Sequence, residues 1–138
     1  MKALSASNLI VPVVGDLGGT HALPEIGRWL ERRGVAVTAY YTSNVEDYLW
    51  REGTYPAFVA NVRALPWAEN GLIVRSYFGF SPLIPPPPAP SAAGPGALEY
   101  CSSQLAQPVG AFLAALEEHQ RRPLSYEQVI SAGVVDPR

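Results

Sequence analysis

The hydrophobic positions change period several times along the chain, and each change predicts an element. Asn8-Leu9-Ile10-Val11-Pro12-Val13-Val14 is a continuous apolar run, rich in β-branched residues, that ends at Gly15-Asp16. Its lack of polar alternation predicts a strand covered on both faces, as in a parallel sheet. Pro12 fits such a strand poorly, because it removes one ladder donor. From Ala22 to Arg33 the period becomes helical. Leu23, Ile26 and Leu30 share one face with Trp29 beside them, while Arg28, Glu31 and Arg32 take the other. Thr20 as a cap, or Pro24 as the first helical residue, opens this helix, and Gly34 closes it. Val35 to Tyr41 is a second β-prone run. Strand, helix and strand in this order have the dimensions of a βαβ crossover.

A short helix is expected over about 44–50, with Ser43 as N-cap and Glu46 completing a capping box. A further helix over about 56–65 carries the stripe Phe58, Val59, Val62 and Leu65. Leu72 to Tyr77 reads as a third strand. The tail is helical, with Val109, Phe112, Leu113 and Leu116 on one face after Pro108. A second capping box, Ser125-Tyr126-Glu127-Gln128, opens a last helix that Gly133 ends.

Composition narrows the class. The chain has 138 residues, which suits one domain, and 48 % hydrophobic content excludes intrinsic disorder. A net charge of −2 offers no basic field for nucleic acid or anionic lipid. Charges or prolines interrupt every apolar run before membrane-spanning length, and the first residues lack a secretory core, so a cytoplasmic protein is expected. The single cysteine, Cys101, excludes an internal disulfide. His21 and His119 lack ligand spacing, so no metal site is expected. Seven of the 14 prolines fall between Pro82 and Pro95, which predicts an extended linker over about 81–97.

Sites in open α/β sheets gather beyond the carboxyl ends of parallel strands. That rule selects a candidate cleft rim of Gly15, Asp16, Tyr41, Ser43, Asn44, Glu46 and Arg75. Hydroxyls, an amide and carboxylates suit a polar small molecule, and Arg75 suits an anion or a carboxylate partner. Each also has an ordinary structural reading: turn glycines, helix caps and an ion-paired arginine. The Gly15–Thr20 loop lacks the spacing of a dinucleotide or phosphate loop.

The segments Asn8 to Asp16, Ala22-Leu23, Ile26-Gly27-Arg28 and Tyr41 to Leu49 resemble an uncharacterised bacterial family. So do Phe112 to Ala115 and Leu124 to Val129. That family includes a leptospiral lipoprotein and has a class I methyltransferase-like fold. The resemblance implies a partial Rossmann-like, three-layer α/β domain with a mostly parallel sheet of about three strands. Its parts would be a βαβ-containing half-domain over 8–80, the linker, and a helical tail over 98–133 packed on the same domain. It corresponds to the later half of the family's domain. The glycine-rich loop that would hold S-adenosylmethionine belongs to the half expected before Asn8, so the cofactor is implied by the resemblance alone.

The strand at Leu9 to Val14 would then lack its neighbour and expose an apolar edge, which favours a homodimer or a complementary half-domain. The expected function is a methyltransferase-like domain without independent catalysis. The alternatives are a non-catalytic binding or assembly module, and a small-molecule-binding enzyme subunit completed by a partner chain or a second copy.

Overall fold

The computed structural model describes residues 7, 9–84 and 102–135. Helix α1 spans Ala22–Arg32, strand β1 Val37–Ser43, helix α2 Val45–Arg51 and helix α3 Tyr55–Arg63. Strand β2 follows at Trp67–Phe78, then β3 at Ser102–Pro108, α4 at Val109–Arg121 and α5 at Tyr126–Ser131. The three strands form one open sheet in the order β1-β2-β3, with β1 and β2 parallel and β2 and β3 antiparallel. The chain is therefore a mixed α/β domain.

Two expectations about the sheet are corrected. Residues 9–16 adopt no regular secondary structure, and Val14 is fully exposed. Pro12 weakens the ladder of any strand there, and Val11, Val13 and Val14 border a groove with α1 instead of entering the sheet. The parallel crossover is consequently β1-α2-α3-β2, one unit later in the chain than expected. The third strand is β3, antiparallel, so the sheet is mixed rather than mostly parallel. This strand sits where the sequence suggested only a helical tail.

The helices that contact the sheet gather on one face. Ile73 and Arg75 of β2 point to it, where Arg75 meets Glu46 of α2 and the Phe112 ring of α4. Trp50 of α2 touches Tyr55, His119 and Tyr126, which come from α3, α4 and α5. Strand alternation turns Tyr41, Ser76 and Gln104 to the opposite face. Among the described residues this is a two-layer arrangement, not the three layers expected. One crossover between parallel strands supplies helices to one face only.

Helix α1 joins this layer through α3. Gly27 is buried where α1 meets the end of α3, with the Ala64 carbonyl oxygen and Leu65 at van der Waals distance, 3.6 Å, from the position a Cβ would take. The predicted stripe on α3 is realised: Phe58 and Val62 are fully buried in the core with Ile73, Leu105, Phe112, Val129 and Ile130. Helix α1 begins after His21 and ends as expected at Gly34, whose φ is +63°. Pro24 takes the third helical position, where a missing amide removes no intrahelical bond.

The proline-rich stretch falls mostly on residues 85–97, outside the described residues. Just before it, Ile84 is buried in the core.

The second capping box forms as read from the sequence. The Ser125 hydroxyl accepts the Gln128 amide at 3.2 Å, and the Gln128 side chain accepts the Ser125 amide at 2.8 Å. Replacing Ser125→Ala removes one of these bonds and lowers unfolding free energy by about 1 kcal/mol, measurable by urea denaturation.

Candidate functional site

The first turn of α2 carries a carboxylate inward. Glu46 is fully buried, and its Oε1 accepts from Thr42 Oγ1 at 2.6 Å and from Arg75 Nε at 2.8 Å. Its Oε2 accepts from Tyr55 Oη at 3.2 Å and Arg75 Nη2 at 3.4 Å. The Arg75 guanidinium, also fully buried, donates through Nη1 to Gln107 Oε1 at 2.6 Å. Gln107 Nε2 then donates to the Val129 and Ala132 carbonyls at 2.9 and 2.6 Å. One chain of bonds thus links α2, α3, β2, β3 and the α5 segment.

This geometry corrects the first expected capping box. Asn44, not Ser43, is the N-cap of α2, and it makes no side-chain capping bond. Glu46 is committed to Arg75. Ser43 has φ +53°, a left-handed conformation that a serine adopts only when its surroundings hold it. That strained residue stands where β1 turns into α2.

On the opposite face the Tyr41 phenol and the Ser76 hydroxyl are 3.2 Å apart, and Gln104 Nε2 donates to Ser76 Oγ at 2.9 Å. Hydrogen bonds with Ser76 and then Ser43 hold the Tyr41 phenol below its ordinary pKa. At the carboxyl ends of β1 and β2 a small polar cavity of about 50 Å³ is lined by Asn44, Asp47, Arg51, Ser76, Tyr77 and Glu127, among others. Asp47 and Arg51 are paired at 2.8 Å. A volume of this size is far below the roughly 300 Å³ at which metabolite pockets begin.

Gly15 and Asp16 line a different depression, an apolar groove of about 700 Å³ between residues 11–16 and α1, with Ile26, Trp29 and Leu30. The structure therefore places Tyr41, Ser43 and Asn44 around the strand ends, seals Glu46 and Arg75 beneath them, and sets Gly15 and Asp16 along α1. The turn after Asp16 is already bonded internally. Its carboxylate accepts the Gly18 amide at 2.9 Å, its carbonyl accepts the Gly19 amide at 3.1 Å, and Asn61 of α3 holds the Leu17 and Gly19 carbonyls. Those amides are not free to cradle an anion.

Among the described residues no group of three or more His, Cys, Asp or Glu side chains could hold a metal ion. Cys101 lies outside them. The His119 Nδ1 accepts the Leu124 amide at 2.9 Å and so joins α4 to the start of the α5 segment. Sequence reasoning missed Thr42, Tyr55 and Gln107. Only the alternation Ser103, Leu105, Gln107 hinted at a strand, and its polar members disguised the buried face.

Burial raises three tyrosines, with the Glu46 carboxylate as the second cause in each: Tyr40 to about 12, and Tyr55 and Tyr126 further still. The folded state thus keeps protons that unfolded tyrosines release near pH 10. Their contribution to stability is complete below about pH 10 and declines as pH rises through that value toward 12. The urea midpoint therefore falls between pH 9 and pH 11, and Tyr55→Phe makes that fall shallower. Removing one partner of the buried pair is a separate test. Arg75→Met lowers unfolding free energy by about 3–5 kcal/mol, and adding Glu46→Leu recovers part of the loss.

No helix among the described residues is long and apolar enough to cross a membrane. No curated protein matches the sequence. Residues 1–130 match the family described as the domain of unknown function DUF7790, and with nearly the whole chain covered, the protein belongs to that family.

Proposed function

We propose that this domain is a non-catalytic binding or assembly module with a Rossmann-like, methyltransferase-like plan, and that alone it performs no methyl transfer. The observation that carries this reading is the saturation of the Glu46–Arg75–Gln107 network. Its acid and its cation are fully buried, paired with each other and satisfied by neighbouring donors and acceptors. A general acid or base must come within hydrogen-bond reach of a substrate proton, and these groups spend their bonds inside the core.

The candidate rim residues do not come together as a site for S-adenosylmethionine. Of the two acidic candidates, Glu46 is sealed by Arg75, while the Asp16 carboxylate and carbonyl hold the Gly18 and Gly19 amides of its own turn. The polar cavity at the strand ends is too small for a nucleoside. Exposed surface is where this chain retains unspent binding capacity, namely the apolar run at residues 9–14 and the outer edge of β1.

The alternative is an enzyme subunit completed by another chain. Among the described residues no strand covers the outer edge of β1, which favours it, since a further strand could extend the sheet there. Calorimetric titration separates the readings. The isolated protein shows no saturable heat with S-adenosylmethionine up to millimolar concentration, and micromolar affinity would overturn the proposal.

A further inference from the structure

The two edges of the sheet differ. Beyond β3, Val135 forms a bridge to Ala106 and donates its amide to the Ala106 carbonyl at 2.9 Å, so that edge is partly covered. Beyond β1 the sheet has no further strand among the described residues. We propose that the outer edge of β1 is the interface with a second copy of this chain, the two β1 strands pairing antiparallel into a continuous six-stranded sheet. This inference rests on the assembly reading above and names the partner.

The backbone sets which groups are free. Val37 donates its amide to the Pro66 carbonyl at 2.7 Å, on the β2 side. Strand alternation then turns the amides and carbonyls of Thr38 and Tyr40 outward. A two-fold axis at Tyr40 makes this residue a hydrogen-bonded pair with its own copy, in which each donates to the other. Thr38 then faces Thr42 of the partner subunit, and Ala39 faces Tyr41 of the partner subunit.

Composition favours self-pairing. Val37-Thr38-Ala39-Tyr40-Tyr41-Thr42-Ser43 contains no charge, no proline and no glycine. Proteins that keep an edge monomeric place lysine, proline or a bulge there, and like charges opposed across a two-fold would repel. β1 carries no lysine or proline, and the irregularities in its register with β2 flank the central Ala39–Tyr41, between Val37 and Ala39 and between Tyr41 and Ser43. Tyr41 is 61 % exposed and Ala39 is also exposed, so their contact across the axis buries an aromatic ring on a small residue twice.

The chain's own apolar run fits the edge less well. Val11, Val13 and Val14 border the groove beside α1, and Pro12 lacks one donor. A second β1 brings a full set of donors.

Sedimentation velocity across a concentration series tests the interface, with circular dichroism melts confirming each fold. The wild type sediments as two chains. Thr38→Pro removes an outward donor while sparing the β2 ladder, and weakens dimerisation by at least about tenfold. Ala39→Lys does the same by placing charge on the edge, and serves if the proline variant fails to fold. Val14→Glu, on the apolar run, leaves the dimer intact.

A wild type that stays monomeric, or a folded edge variant that stays dimeric, overturns the proposal. So does dissociation by Val14→Glu alone, which would move the interface to the α1 groove. A monomer whose Thr38 and Tyr40 amides resist hydrogen exchange would show the edge covered from within, and also overturns it. A monomer that binds no S-adenosylmethionine removes this interface and leaves the non-catalytic reading standing.

Discussion

The buried pair of Glu46 and Arg75 is the interaction on which the arrangement of elements depends. Removing two charges from water costs several kcal/mol per ion, and Coulomb attraction offsets this only when the remaining donors and acceptors are also satisfied. Here the surrounding fold supplies each partner. Thr42 from β1 and Tyr55 from α3 complete the carboxylate, while Gln107 from β3 completes the guanidinium. Gln107 in turn holds the Val129 and Ala132 carbonyls where α5 ends. A shift in any of these elements would leave a buried charge or amide unpaired, so the pair fixes register as well as position.

That same saturation decides what the center of the domain can do. A charged cluster in a core looks chemically capable until its bonds are counted. Once they are counted, the candidate acid and the candidate anion receptor form an internal clasp. The polar row of Tyr41, Ser76 and Gln104 lies on the other sheet face, but Ser76 is itself buried and the cavity it lines is too small for a metabolite. Among the described residues, open binding capacity includes the outer edge of β1, which no strand covers, and the apolar groove beside α1. Both favour association over turnover.

Much of the helical layer was legible in the sequence. The stripe of Phe58, Val62 and Leu65, the amphipathic pattern before Gly34 and the Ser125–Gln128 box are local signals, and the structure realises each locally. The sheet was harder. Leu9 to Val14 carries the composition of a buried strand, but composition does not provide a neighbour, and Pro12 takes away a donor. Strand β3 hides because its buried face includes Ser103 and Gln107, polar residues whose burial makes sense only once Arg75 is in place. Glu46 misled for a related reason: three residues after a serine it imitates a helix cap, and only the tertiary arrangement shows that Arg75, distant in sequence, claims it.

The central claim is that Glu46, Arg75 and Gln107 act as one structural unit, and a double-mutant cycle between the two outer members tests it most directly. Glu46→Gln and Gln107→Met are measured singly and together by urea denaturation. Coupling through Arg75 predicts that the double variant departs from the sum of the singles by about 1 kcal/mol or more. Additivity within about 0.5 kcal/mol would contradict the account, because the two side chains would then be independent.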